Sequence, residues 1–183
     1  MEFKDHGLAL RPVRIDDGAI LYRWLNDSRV LAFYEGRDRR HDMNMVRERF
    51  LSKTSPNPVL GHLVFWQGVP VGYVQTYLVD GDELMLYGYS RFDQVYGMDL
   101  FLGEPDRWNQ GIGTLLVRAV ANRLIQECEA EVIVVDPRVD NLRAVHVYEK
   151  CGFKRIRLLR NRELHEGKYH DCWLMQLKPV SKR

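Results

Sequence analysis

The chain lacks most of the features that name a chemistry outright. Its three cysteines, Cys128, Cys151 and Cys172, form no CxxC pair, and the odd count leaves at least one thiol unpaired. Buried free thiols are expected in place of a disulfide framework or a redox pair. His165 and His170 lie near Cys172 without a metal-ligand spacing supported elsewhere, so no metal is expected. No apolar run is long enough to span a bilayer, and the opening MEFKDHGLAL has no signal-peptide core; the expected location is the cytoplasm. Neither sign of charge dominates. With 27 Lys and Arg against 25 Asp and Glu, the formal net charge of +2 argues against nucleic acid or an anionic membrane as a partner. Repeats and low-complexity segments are also missing.

What is present suits one soluble globular domain over residues 1–183, with 45% hydrophobic and 28% charged residues. Leu8 to Val13 alternates as a strand, and Asp16-Asp17 can cap a helix carrying Ile20, Leu21, Trp24 and Leu25. A helical stretch at Met43 to Leu51 is followed by a loop over residues 53–58. Val59 to Trp66 and Val69 to Leu78 read as strands joined by a Gln67-Gly68 hairpin. After a polar connection at Asp80 to Glu83, Leu84 to Tyr89 gives no clear signal. Val95 to Leu102 is a strand, Thr114 to Glu127 a helix with Leu115, Leu116, Ala119, Val120 and Leu124 on one face, and Glu131 to Val135 a strand covered on both sides. Asn141 caps a last helix that stops at Gly152, and strands at Phe153 to Leu159 and Cys172 to Leu177 finish the order. This order predicts a mixed α/β sheet with a site at the ends of its middle strands.

The stretch RWNQGIGTLLVRAV, Arg107 to Val120, places a glycine turn at the start of a helix. Gly111 and Gly113 let the backbone approach a ligand closely, and the amides of Gln110 through Thr114 would point outward at the positive end of a helix dipole, where phosphate oxygens can accept from them. The turn is either structural or anion-binding. It is no P-loop, because Thr114-Leu115 follows Gly113 where a Lys-Ser/Thr pair is needed, and no dinucleotide fingerprint, because Leu116 stands where a third glycine belongs.

Three stretches taken together carry a resemblance: the strand Tyr96-Gly-Met-Asp99, the turn Gln110-Gly-Ile-Gly-Thr114, and the Asn-x-x-Ala-x-x-x-Tyr-x-x-x-Gly-Phe pattern from Asn141 to Phe153. Over nearly the whole chain they resemble the GNAT superfamily of acetyl-CoA-dependent N-acetyltransferases. Trp24-Leu25-Asn26, Val95 to Pro105, Asp136-Pro137 and Glu163 to Lys168 narrow the resemblance to aminoglycoside 6′-N-acetyltransferases, closest to the acetyltransferase half of the bifunctional acetyltransferase–phosphotransferase, with no kinase half after Arg183. The resemblance implies a GNAT-type mixed, mainly antiparallel twisted sheet flanked by helices. It also implies acetyl transfer from acetyl-CoA to the 6′-amine of aminoglycosides, hence antibiotic resistance. A protein, peptide or polyamine amine is the alternative acceptor, and a non-catalytic coenzyme A-binding module a third reading. Trp108 departs from the superfamily's frequent Gln or Arg three residues before the first glycine, which implies weaker side-chain help for a phosphate that the backbone still holds.

Residue roles follow from the same resemblance. Coenzyme A would be held by Phe101, Gln110, Gly111, Ile112, Gly113, Thr114, Asn141, Ala144 and Tyr148; the Tyr148 hydroxyl would lie near the sulfur, where it could protonate the leaving thiolate, the alternative being a half-buried tyrosine that packs. Asp99, a carboxylate in an otherwise apolar strand, is either satisfied by a neighbour or is the group that binds the substrate ammonium and takes or relays its proton. Asp136 at the carboxyl edge of a strand is a turn residue before Pro137 or a second anion for a polycationic sugar. Asp80, Asp82, Glu83, Asp93, Asp99, Glu104 and Asp136 would focus a negative field, or, for Asp80 to Glu83, form a solvated loop. Tyr34 and Tyr96 either stack on sugar rings or pack, and Arg37 to Arg40 form a solvated face or, as the lesser alternative, contact the coenzyme's phosphates. The expected substrate contacts are therefore Tyr34, Asp82, Tyr96, Asp99 and Asp136. Monomer and homodimer both remain open.

Overall fold

Strands form where apolar residues alternate and end where the backbone can reverse. In the computed structural model, which describes residues 3–5, 7–51 and 59–179, the expected loop at 53–58 lies outside the described residues. Strand β1 (Phe3–Asp5) is antiparallel to β2 (Leu8–Pro12), whose Leu8 and Leu10 are buried. β2 in turn is antiparallel to β3 (Leu60–Trp66), with Leu10 opposite Val64. Between β3 and β4 (Val69–Leu78), Gln67 and Gly68 adopt φ of 52° and 83°, the paired positive angles of the hairpin turn whose twist matches its strands. β5 (Val95–Leu102) runs parallel to β6 (Val132–Val135), and their register ends at Gly97 opposite Val134. The hairpin of β7 (Lys154–His165) and β8 (Lys168–Leu177) follows, β8 antiparallel to β6. The strands are hydrogen-bonded in the order β1-β2-β3-β4-β5-β6-β8-β7, the mixed, mainly antiparallel sheet that was expected.

Six α-helices complete the described residues: α1 (Gly18–Trp24), α2 (Ser28–Leu31), α3 (Met43–Val46), α4 (Gly81–Tyr87), α5 (Ile112–Glu127) and α6 (Leu142–Lys150). None is long and apolar enough to cross a membrane. The chain gathers into two compact units. The first comprises the segment up to Gln75, Asp99–Gly113 and His165–Lys168; the second, Thr76–Met98, Thr114–Leu164 and the segment from Tyr169. The core of the first is aromatic, built around Trp24, Phe50, Tyr73 and Phe101, whereas the second packs Val95, Val132, Val134, Leu159 and Leu174 against Leu84 and Tyr87. Both β4 and β5 pass from one unit into the other.

Several elements depart from the sequence expectation for identifiable reasons. Asp17 does not cap α1. A 3₁₀ turn (Ile15–Asp17) precedes the helix, and the Asp17 carboxylate accepts from the Arg14 amide at 2.7 Å and from Arg11 at 2.7 and 2.8 Å, closing that turn from behind. The stretch Met43 to Leu51 is helical in two pieces, α3 and a wider π-helical turn (Arg47–Leu51). Asp80 to Glu83 is no free loop: it starts α4, with Asp82 and Glu83 in a first turn where the helix dipole favours anions, and Gly88 ends it at φ 84°. On α5 the buried face carries Leu116, Val117, Val120, Ala121 and Leu124, while Leu115 is turned out at 39% exposure.

Candidate active site

Strand alternation puts Asp99 on the same face of β5 as Val95, Gly97 and Phe101. Half-buried there, it accepts a hydrogen bond on Oδ2 from Gln75 Nε2 at 2.8 Å. Gln75 Oε1 accepts in turn from the Tyr73 hydroxyl at 3.0 Å. This chain fixes the amide, because only its oxygen can take the tyrosine proton, and so its nitrogen must face the carboxylate. Tyr73 is locked by its neighbours: its ring stacks on Phe101 at 5.7 Å and 28°, and meets Phe50 edge-on at 5.2 Å. Tyr34 tilts against Phe101 at 4.7 Å. Burial, reinforced by the charge of Asp99, pushes both tyrosine hydroxyls up from their ordinary range, which keeps them neutral. Neither Tyr73 nor Gln75 was marked by a motif, although a glutamine inside the apolar alternation of β4 is a signal of the same kind as Asp99 itself.

Ahead of α5, Gly111 adopts φ +83°, which a side chain rarely tolerates, and Asn109 before it has φ 60°. A Cβ added at Gly111 or at Gly113 would meet no protein atom within 4 Å. The backbone conformation therefore demands glycine at 111, while no neighbour in the protein demands it at 113. Open space beside amides at the first turn of a 16-residue helix is what a phosphate group needs for close approach, so the turn fits a coenzyme pyrophosphate. Trp108 points elsewhere: its indole donates to the Leu102 carbonyl at 2.9 Å and its ring meets Phe33 edge-on at 6.0 Å. The place where the superfamily often has Gln or Arg is thus a strut beneath the turn. Gln110 spends its side-chain amide on the Asp106 carbonyl at 2.9 Å, and the Phe101 ring is buried in the aromatic core, which leaves backbone groups for ligand contact.

In the second unit, Asn141 caps α6 by accepting from the Ala144 amide at 3.2 Å. Tyr148, about two turns further, is buried and tilts against Phe153 at 5.5 Å. The Cys151 thiol lies 3.5 Å from the Thr114 carbonyl, tying the end of α6 to the start of α5. Asp136, just beyond β6, is no simple turn residue. Its Oδ2 accepts from Arg162 Nε at 2.8 Å and lies 3.0 Å from the Tyr87 hydroxyl. Arg162 Nη2 also donates to Glu83 and, at 2.9 Å, to that hydroxyl, and the guanidinium lies over the Tyr87 ring at 5.6 Å. Burial pushes the Asp136 carboxyl up, and Arg162 and Tyr87 offset only part of that rise. Sequence reasoning missed Arg162 and Tyr87 altogether.

The expected site residues therefore fall into groups. Tyr34, Asp99 and Phe101 lie together, with Gln110, Gly111, Ile112 and Gly113 in the same unit, and Thr114, Asn141, Ala144 and Tyr148 belong to the other. Tyr96 occupies the face of β5 opposite Asp99, where burial and then Cys128 push its hydroxyl up. Asp82 is exposed on α4. Two members of the expected acidic field serve the fold: Asp93 accepts from the Ser90 amide at 2.7 Å, and Glu104 pairs with Arg23 and with the Trp24 indole at 2.8 Å. Among the described residues no three His, Cys, Asp or Glu side chains gather as a metal site.

A glycine turn opening a long helix after a carboxylate-bearing strand, followed by a parallel strand and an asparagine-capped helix, defines an acetyltransferase framework. Residues 15–160 match the acetyltransferase (GNAT) domain model, and the chain belongs to that family. It is 34% identical over 149 residues to aminoglycoside N(6′)-acetyltransferase type 1 of Klebsiella pneumoniae, a match spanning 81% of this chain and 74% of the relative. Among solved structures, AAC(6′)-Ib in complex with ribostamycin and coenzyme A has a TM-score of 0.76 at 29% identity, over 94% of this chain and 93% of that one. The spermidine N-acetyltransferase of Vibrio cholerae in complex with coenzyme A and spermine, at 18% identity and TM-score 0.77 over 95% of this chain and 96% of that one, shares the fold alone.

Proposed function

We propose that the chain transfers the acetyl group of acetyl-CoA to the 6′-amino group of aminoglycosides and so confers resistance, acting in the cytoplasm as one acetyltransferase domain over residues 1–183. The observation that carries the chemistry is the half-buried Asp99 carboxylate, oriented by the neutral amide of Gln75. The similarity to aminoglycoside 6′-acetyltransferases over most of the chain carries the substrate class.

An aliphatic amine, with a pKa near that of lysine at about 10, arrives mostly protonated. In this reading Asp99 receives the ammonium and takes or relays its proton, with the Tyr34 ring beside the sugar. The freed nitrogen attacks the thioester carbonyl carbon; the C–N bond forms, the C–S bond breaks, the thiolate takes a proton from Tyr148, and the second proton shed by the acylated nitrogen passes through solvent to restore the Tyr148 hydroxyl. The amides of Gln110, Gly111, Ile112, Gly113 and Thr114 hold the pyrophosphate. Asn141, Ala144 and the Phe101 backbone hold the pantetheine arm, and Asp82 and Asp136 receive further amino groups of the sugar. Tyr96, on the far face of its strand, packs. Asp99→Ala is expected to retain coenzyme A binding by calorimetry while lowering kcat/KM for acetyl transfer about 100-fold or more. Unchanged turnover would remove Asp99 from the mechanism.

A further inference from the structure

Arg162 has no part in the assignments above, yet it holds the carboxylate of Asp136. We propose that Arg162 is a positioning residue for substrate binding: braced by Glu83 and Tyr87, it keeps Asp136 oriented and anionic, so that Asp136 receives a second amino group of the polycationic substrate. The inference rests on the reading of Asp136 as a substrate anchor.

The geometry gives the reasons. One guanidinium spans both acids, its Nε on Asp136 at 2.8 Å and its Nη2 on Glu83. The Tyr87 hydroxyl accepts from the same Nη2 at 2.9 Å and lies within 3.0 Å of Asp136 Oδ2 and 2.9 Å of Glu83 Oε1. It has one proton to give, so it satisfies only one acid at a time. Two carboxylates against one guanidinium leave one net negative charge, which still attracts an ammonium. Among the described residues, the groups that interact with Asp136 include Glu83 and Tyr87 from α4, Arg162 and Glu163 from β7, and Cys172 from β8, and Arg162 is the cation bonded to its carboxylate. Arg138 pairs with Asp140 at 3.0 Å and with Glu163 at 3.5 Å. With Arg162 and Asp136 side chains only 29% and 22% exposed, water cannot replace the lost cation in full. An uncompensated carboxylate in that setting takes up a proton.

The experiment uses Arg162→Gln and Arg162→Lys in the full chain, with two readouts. The first follows ionisation of Asp136 by NMR of the ¹³C-labelled carboxyl, without substrate, in the wild type and both variants. The second is the ratio of variant to wild-type KM for an aminoglycoside between about pH 6 and about pH 8.5; the ratio cancels titration of the substrate's own amines. The proposal expects Asp136 in Arg162→Gln to titrate at higher pH than in the wild type. It also expects a KM ratio of about tenfold at the acid end that narrows toward unity as pH rises, with kcat within a few fold. Arg162→Lys, which keeps the charge, recovers most of both effects. An unmoved Asp136 titration, or a KM ratio that does not vary with pH, overturns the proposal. A moved titration in a protein whose wild type turns over no aminoglycoside upholds the hold of Arg162 on the carboxylate and refutes instead the substrate class.

Discussion

Asp99 is aimed by a neighbour that no motif marks. The order Tyr73 hydroxyl, Gln75 amide, Asp99 carboxylate leaves each donor one acceptor, and the ring that starts it is wedged between Phe50 and Phe101. Gln75→Leu removes the donor but keeps the shape. It is expected to lower kcat/KM about tenfold, the value of a hydrogen bond to a charged group, while thermal unfolding stays within a few degrees of the wild type. Steady-state kinetics alongside calorimetry decides; full activity in a folded variant would make Gln75 a bystander. Asp99 itself was legible because a carboxylate in an apolar strand needs a reason. Arg162 was not, because a charged residue in a strand rich in arginine looks like any solvated side chain until its partners on α4 and beyond β6 are in place.

At the scale of elements, the glycine turn separates two roles that glycine can play. Gly111 serves the backbone, with its φ of +83°. Gly113 has no positive φ and open space where a Cβ would stand, inside a helix that alanine would favour by up to about 1 kcal/mol. Gly113→Ala is therefore expected to leave thermal stability unchanged or slightly raised while weakening coenzyme A binding severalfold, as measured by calorimetry and thermal unfolding. Loss of stability with affinity intact would make the turn structural only. The turn, the strand before it and the capped helix α6 were legible because each carries its own local code. The helix α4 was not read, although an acidic first turn, buried Leu84 and Tyr87, and a terminal Gly88 are all in its sequence. Its apolar contacts are too few to show a period. β7 was cut short at Leu159 for a related reason: as the last strand in the order it exposes charge at Arg160 and half-exposes Arg162, so alternation of apolar residues fades while Glu166-Gly167 still turns the hairpin.

Taken whole, the molecule combines a nearly balanced charge with acids that are mostly committed to partners. Glu104 is paired with Arg23, Glu166 with Arg37, and Glu83 and Asp136 share Arg162. In the proposed reading, attraction for a polycationic sugar then rests on a few carboxylates, Asp99 foremost, and selectivity follows from where each amine falls. The central claim is acetylation at one amine, and thiol release from acetyl-CoA reads it directly. Purified protein is assayed with a panel of aminoglycosides and with an analogue that lacks the 6′-amine but is otherwise identical. The account predicts turnover with the parent compounds and loss of thiol release with the analogue; equal turnover of the two would contradict it.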